Sequence, residues 1–520
     1  MKTRLAAVVV ALGSLGFGAA WAAPEGTLIA AAESKDFAAA ATLIEAKADV
    51  NARDVDGTTA LHWAAHHGNA DLVEKLIRAG AQVSVMNDYG STPIMEAATL
   101  GHAKILELLL KAGADVDSPN PEGQTPLMAV ARTGNVEAAK VLVKHGANVN
   151  AVEQWGGQTA LMWAAAQSQP AMVEFLIKSG ADVNARGIVR DWQRRVTAEG
   201  RPKNMNRGGF TPLLYAAREG CIECAKHLIK AGADINLAEP DGLTPLNLAL
   251  TNMRFDFAAY LIEAGADVNK WDFYGRTPLY SAIDLNTLPR GGRPDLPSTD
   301  HHTGYDIAEM LLQKGANPNA QLKLRPPYRN GVFDRGGDQV ISTGATPLLV
   351  AAKVGDARSV ALLLKHGAIV DLPTATGVTP YMAAAGMGHS FNPTRGRFKT
   401  DAQAVECLKL LKDAGAEVNR KNMQGLTALH SAAALGWDET VKKLVSDGAS
   451  LEAEDELGLR PIDYAVGRHP RAFLEPEHTR KESTEAILRD FIVAATGRAP
   501  REFTGNLNRS TRGTGGAAQN

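Results

Sequence analysis

Eleven glycines stand in near-constant register along this chain: Gly57, Gly90, Gly123, Gly157, Gly209, Gly242, Gly275, Gly344, Gly377, Gly425 and Gly458. Six of the neighbouring pairs are separated by 33 residues. A second series runs behind the first: Gly80, Gly113, Gly146, Gly180, Gly232, Gly265, Gly315, Gly367, Gly415 and Gly448. Two phased glycine series at one short period predict a stack of repeated units, not a chain wrapped around a single core. Such arrays offer long surfaces and seldom build a catalytic centre, so binding is the first functional expectation.

One unit reads Asp56-Gly57-Thr58-Thr59-Ala60-Leu61-His62-Trp63-Ala64-Ala65 and continues through Leu72, Val73, Leu76 and Ile77 to Gly80. Asp-Gly is a turn dipeptide whose glycine accepts positive φ at little steric cost. The threonine just before the first helix suits an N-cap. In most units a proline follows it, as in Thr92-Pro93, Thr125-Pro126, Thr211-Pro212 and Thr346-Pro347. Proline belongs there because the N–H it lacks has no helical partner at that position. A short alanine-rich helix, a tight turn and a second helix with aliphatic spacing (Ile105, Leu108, Leu109) follow. The second glycine series sits where a left-handed residue ends that helix. No single unit can bury its own apolar face, so neighbours are required.

The Thr-Pro-Leu-His and Ala-Ala block and the Gly-Ala-Asp-Val-Asn ending, seen at Gly180 to Asn184 and Gly265 to Asn269, resemble the ankyrin repeat family. The resemblance recurs from about residue 25 to about residue 495. It implies an all-α-type solenoid: a curved stack of helix-turn-helix units with β-hairpin fingers, about twelve repeats including caps. At about 10 Å per helix-pair layer such a body is on the order of 110 Å long. Residues 23–55 read as an N-terminal capping repeat, and 56–184, 209–319 and 344–456 as repeats proper. Residues 457–496 read as a C-terminal cap, where Arg460-Pro461-Ile462-Asp463 replaces the threonine motif. Its closing helix is expected over Thr479–Ala495, with Thr479 and Glu482 spaced as a capping box. The Gly-, Arg- and Ser-rich tail 497–520 cannot bury apolar surface and is expected to be disordered.

Residues 1–22 combine a basic start (Lys2, Arg4), an apolar run from Leu5 to Phe17 and the small-x-small triplet Ala20-Trp21-Ala22. That pattern reads as a secretory signal peptide cleaved after Ala22, as in a bacterial protein that is periplasmic or secreted. An uncleaved anchor is the competing reading. The run is too short and glycine-interrupted to expect stable membrane insertion after cleavage. A formal net charge of −2 gives no global electrostatic case for nucleic acid.

Three cysteines do not make a disulfide framework. Cys221-Ile222-Glu223-Cys224 has redox or metal spacing, yet repeat register places Cys224 and Cys407 at apolar positions of second helices. Buried structural thiols are therefore expected, with a local disulfide or a reactive thiol as alternatives. His62 and His430 occupy the Thr-x-Leu-His position and are expected to bond within the turn. His102 and His389 follow turn glycines. His301-His302, near Asp300 and Asp306, is the one constellation with metal-ligand character, although a solvated loop explains it as well. No nucleophile elbow, phosphate loop or His-Glu-x-x-His helix is present. No catalytic, cofactor or metal residue is therefore assigned, and the chain is not expected to be an enzyme.

Four insertions break the period. Residues 185–208 interrupt a finger with seven basic residues (Arg186, Arg190, Arg194, Arg195, Arg201, Lys203, Arg207) against Asp191 and Glu199. Residues 320–343 interrupt another finger, and 286–304 and 388–403 fall between first and second helices. Loops of a solenoid tolerate insertion, and Lys and Arg keep them soluble. The finger insertions also suit a grip on an acidic partner surface, since Arg and Trp are enriched at interface hot spots. The resemblance implies that partners contact the residue before the turn glycine and the pair after the first-helix Ala-Ala. Those positions hold Tyr89, Trp155, Phe273 and Tyr274, with Trp271 and Phe210 beside them; together with Arg190, Trp192, Arg194 and Arg195 of the insertion they are the expected partner-binding residues. Trp63 and Trp163 are assigned to packing instead. The expected function is an exported scaffold binding protein on its concave, finger-bearing side. The alternatives are a secreted host-directed effector and a metal-binding or enzyme accessory protein.

Overall fold

The computed structural model describes residues 26–191, 207–286, 299–324, 340–389, 399–468 and 480–502. Within them lie twenty-four α-helices in twelve consecutive pairs, from Leu28–Glu33 with Phe37–Glu45 to Pro461–Ala465 with Glu482–Thr496. The count matches the expected twelve units. The chain divides into two units, residues 1–188 with 226–232, and residues 189–225 with 233–520.

In the first unit, Leu28–Glu33, Ala60–His66, Pro93–Thr99, Pro126–Thr133 and Ala160–Ala166 pack in succession as one row of first helices. Phe37–Glu45, Ala70–Arg78, Ala103–Lys111, Val136–Lys144 and Pro170–Lys178 form a second row. Small residues make the first row tight: Ala64, Ala65, Ala97 and Ala98 are wholly buried. Leu72, Leu76, Ile105, Leu109 and Leu142 from the second helices fill the space between layers at 0–2% exposure. Each such side chain contributes about 1.5–3 kcal/mol on burial. The second unit repeats the plan, with its first helices stacked from Pro212–Glu219 through Pro245–Thr251, Pro278–Asn286, Pro347–Val354, Pro380–Ala384 and Ala428–Leu435 to Pro461–Ala465.

The threonine caps act as expected. Thr125, Thr159, Thr211, Thr244, Thr346 and Thr379 each accept the backbone N–H three residues on. Where histidine holds that third position it takes over the cap. Thr59 donates its N–H and hydroxyl to His62 Nδ1 at 3.2 and 2.9 Å, and His62 Nε2 donates to the Ser91 carbonyl at 3.1 Å. His430 does the same with Thr427 and the Leu459 carbonyl. Burial lowers the pKa of both rings, favouring the neutral form.

Both glycine series lie at positive φ throughout, but for different reasons. A Cβ on Gly415 (φ +94°) meets nothing within 4 Å, so its backbone angle alone selects glycine. A Cβ on Gly425 (φ +77°) would lie 2.9 Å from Asp455 Cα and 3.0 Å from Glu456 N, atoms of the next finger. The helix-end glycines also align an asparagine ladder. In the first unit Asn51 Nδ2 donates to the Gly80 carbonyl, 29 residues on, while its Oδ1 accepts from Gln82 N. Asn269 and Asn319 of the second unit make the same reach to Gly315 and Gly367, across 46 and 48 residues.

Several expectations need correction. No strand occurs among the described residues; the fingers are single turns, not β-hairpins. Each is closed locally (Gly57 N to Asp54 O, 2.9 Å; Asp54 N to Thr58 O, 2.8 Å) and reaches the next through one backbone bond, such as Asp88 N to Asp56 O at 2.8 Å. Four-residue turns are too short to build a ladder. The isolated bridge Val189–Gly208 closes the base of the 185–208 insertion. Cys221 and Cys224 are joined in a disulfide, and only Cys407 matches the buried-thiol reading. Burial pushes the Cys407 thiol up to about 12. The closing helix begins at Glu482 with Lys481 at its N-cap; Thr479 lies outside the described residues. Residues 1–25 and 503–520 also lie outside them. Among the described residues no helix is long and apolar enough to cross a membrane.

Candidate functional site

A finger tip is a turn held from below by one polar side chain. Asn87 Oδ1 accepts the N–H groups of Tyr89 and Ser91 at 3.2 and 2.9 Å. Glu153, itself buried, accepts from Trp155 N and Gly156 N at 2.6 Å and from Gln158 N at 2.9 Å. Asp272, Asn422 and Asp455 do the same work in the second unit. This residue, three or four before the turn glycine, is the functional position that the sequence reading missed. Its signal is an Asp, Asn or Glu phased with the first glycine series. Burial raises the pKa of another such carboxyl, Glu239, which accepts from Leu243 N.

With the turns held, the residues before the glycine project outward. In the first unit Trp155 is 73% exposed and Tyr89 72% exposed. Met86 and Val152 add exposed apolar surface on the same fingers, and Val55 does so on the Gly57 finger. In the second unit Trp271 is 48% exposed and Phe273 41% exposed, and Lys323 Nζ lies 3.0 Å from the centre of the Trp271 ring. An ammonium over an indole face is attracted by the ring quadrupole and fixes the orientation of both groups.

Two of the expected contact residues do not face solvent. Phe210 is 8% exposed and packs on Tyr215, Leu214 and Leu248. It follows the turn glycine, and that position points inward, as Val378 and Leu459 also show. Tyr274 is likewise 8% exposed. Its ring meets Phe273 edge-on at 5.3 Å and lies under the Arg276 guanidinium, which is anchored on Asp272. Both therefore belong to the support of the fingers, not to their surface. Arg190 sits at the base of its insertion, donating its N–H to the Arg207 carbonyl at 2.7 Å. Trp192, Arg194 and Arg195 lie outside the described residues.

The remaining polar clusters have structural partners. Asp256 accepts both backbone N–H groups and both Nδ1 atoms of His301 and His302, at 2.6 to 3.0 Å. Burial works to raise the Asp256 pKa, but these four bonds outweigh it and hold the carboxyl well below its usual range. Among the described residues no group of three or more His, Cys, Asp or Glu side chains is arranged to hold a metal ion. Lys399, expected in a solvated basic loop, is instead buried. Its Nζ donates to the carbonyls of Ala383 and Ala384 at 2.6 Å and Ala352 at 3.3 Å. Burial brings its pKa down to about 7. Trp63 and Trp163 are only half-buried on the first-helix row. Trp63 stacks on His67 and Trp163 receives the Arg132 guanidinium.

Comparison with known proteins agrees with this anatomy. The family model for ankyrin repeats (3 copies) matches residues 28–120, 113–187, 213–322 and 400–474, and that for the ankyrin repeat matches 343–375. Over 186 residues the chain is 32% identical to the nuclear factor NF-kappa-B p105 subunit of Gallus gallus, covering 34% of this chain and 16% of that protein. It is 29% identical to dynein axonemal heavy chain 12 of Bos taurus over 33% of this chain and 49% of that protein. The chain thus spans no more than half the length of these relatives. The crystal structure of the human ASB11 ankyrin repeat domain aligns with 45% of this chain and 96% of its own, at 24% identity and a TM-score of 0.38. The family models cover well over half of the chain. The chain belongs to the ankyrin repeat family.

Proposed function

We propose that this protein is an exported scaffold that binds another protein through its finger tips and the adjoining face of the first helices. Ankyrin repeats generally mediate protein–protein interaction, and the scaffold is generally non-enzymatic. The observation that carries the reading is the presentation of Trp155 and Tyr89. Both residues are largely exposed, on turns whose backbones are fixed by Glu153 and Asn87. An aromatic ring on a fixed backbone loses little entropy on docking, and aromatic residues dominate interface hot spots. The exposed Phe273 and the Trp271–Lys323 pair extend the same chemistry in the second unit. The Arg-rich insertion 185–208 suits an acidic patch on the partner. The pattern of residues 1–22 supports export to the periplasm or beyond.

The test is an affinity pull-down from periplasmic extract. Three baits are used: the chain from Ala23, its Tyr89→Ala/Trp155→Ala variant, and a version with 192–206 replaced by a short Gly-Ser linker. A protein held by the parent and lost by the double variant supports the finger site; loss with the linker version places the insertion in it as well. Equal retention by all three would overturn the assignment of these residues. Recovery of the mature chain from culture medium would redirect the search to secreted targets.

A further inference from the structure

The disulfide Cys221–Cys224 is poorly explained as a staple. It spans three residues of sequence, and the backbone already closes the same span. Cys221 N donates to the Ala216 carbonyl at 3.0 Å, and Ala225 N donates to the Cys221 carbonyl at 3.1 Å. A ring so small removes less freedom from the unfolded chain than a longer loop does. Equivalent turns elsewhere hold the same geometry without sulfur. Asn69 accepts Leu72 N at 2.9 Å, Asn135 accepts Ala138 N at 3.0 Å, and Asp356 accepts Ser359 N at 3.0 Å.

Cys221 Sγ stands in that series as the cap acceptor, taking Cys224 N at 3.3 Å at the start of helix Ile222–Lys230. Elsewhere the position is filled by Asp36 and Asp356, so it accommodates an anion. A thiolate at a helix start is stabilised in the same way. The two sulfur-bearing residues differ in access: Cys221 is partly exposed, whereas Cys224 is wholly buried. The remaining thiol, Cys407, is wholly buried too and offers no route for reshuffling.

We propose that Cys221–Cys224 is an exchangeable redox disulfide whose substrate class is a dithiol, with Cys221 the sulfur that is attacked. A thiolate of the dithiol attacks Cys221 Sγ. The bond to Cys224 breaks, a mixed disulfide forms at Cys221, and the Cys224 thiolate leaves and takes up a proton. The second thiolate of the dithiol then attacks its own sulfur in the mixed disulfide, releasing Cys221 as a thiolate. Two electrons pass to the protein; the dithiol ends as a disulfide and the protein as a dithiol. The helix start that holds Cys221 stabilises this last species.

The test uses the full mature chain, with dithiothreitol as the dithiol probe and oxidised glutathione as the trap. Native chain is titrated with dithiothreitol, alkylated and mapped by mass spectrometry. Reduction of the pair without loss of helical signal is expected; resistance until guanidinium unfolds the chain would overturn the proposal. Next, Cys224→Ser and Cys221→Ser are each exposed to oxidised glutathione. Cys224→Ser is expected to gain one glutathionyl adduct at Cys221 at least tenfold faster than Cys221→Ser gains one at Cys224. Its rate should titrate below the usual thiol value of about 8.5. Equal rates, or an ordinary titration, would overturn the assignment of Cys221. Melts of both variants close to the parent would exclude a staple, whereas a large loss in both would restore that role and refute the redox one.

Discussion

Gly425 and Gly415 are ten positions apart in one repeat neighbourhood, yet alanine should not cost the same at each. Both replacements place a Cβ in the left-handed region, which costs about 1–2 kcal/mol. Stiffening of the unfolded chain offsets about 0.4–1 kcal/mol of this. For Gly415→Ala nothing further enters, because the new methyl meets open space; the net loss is about 1 kcal/mol. For Gly425→Ala the methyl lies 2.9–3.0 Å from Asp455 Cα, Asp455 C and Glu456 N, where ordinary contact begins near 3.4 Å. All three are backbone atoms, so no rotamer relieves the overlap. The next finger must move by roughly half an ångström, and overpacking of this kind costs about 1–3 kcal/mol. The displacement also stretches the Glu456 N to Gln424 O bond, now 3.0 Å. Gly425→Ala should therefore lose about 3 kcal/mol in all. Because a repeat array need not unfold in one step, the assay pairs guanidinium unfolding with hydrogen exchange at the Glu456 amide. Faster exchange there in Gly425→Ala, and unchanged exchange in Gly415→Ala, is the expected result. Equal destabilisation by the two, or protection of Glu456 retained in both, would refute the separation of the two glycine series.

Three further outcomes follow from the same geometry. Trp155→Ala and Tyr89→Ala should change stability by less than about 0.5 kcal/mol, while Phe210→Ala should lose about 3 kcal/mol; thermal melts of the three variants compare them directly. His62 and His430 have lowered pKa values in the fold. The unfolded chain therefore takes up protons first, and stability falls as pH drops below about 6.5. Denaturant titrations from pH 7.5 to 5 should show this slope in the parent and a shallower one in His62→Gln/His430→Gln. Lys399, with its pKa down at about 7, is protonated in the unfolded chain but neutral in the fold above that pH. Stability should therefore rise between pH 7 and about 10, and the difference between parent and Lys399→Met across that range isolates the contribution.

Much of the fold was legible because each repeat states its own punctuation. Asp-Gly, Thr-Pro and the second glycine mark turn, cap and helix end within a few residues of one another, and local chemistry is what a sequence displays. The finger site was legible only in part. Trp155 and Tyr89 precede their glycines and point outward as expected, whereas Phe210 follows its glycine and points in; crossing the glycine reverses the side chain. Tyr274 has the outward phase and is nevertheless covered, because Arg276, anchored on Asp272, lies over its ring. That arrangement depends on side-chain pairing that no periodicity records. Lys399 was misjudged for a related reason. It shares the composition of a solvated loop, and only the convergence of the Ala352, Ala383 and Ala384 carbonyls shows that it belongs inside. The disulfide was hidden by register, which marked Cys224 as a core position without showing that Cys221 stands beside it.

The asparagine ladder separates two kinds of change open to this chain. Asn51 reaches its glycine carbonyl over 29 residues, Asn269 over 46 and Asn319 over 48, yet the bonds differ by no more than 0.1 Å. The joints therefore do not register how much chain passes between them. Loops at those points are free to lengthen, shorten or be exchanged while the spacing of their neighbours is conserved. Recognition can drift in such a protein without renegotiating stability, and a foreign loop grafted between Asn319 and Gly367 should inherit a ready-made frame.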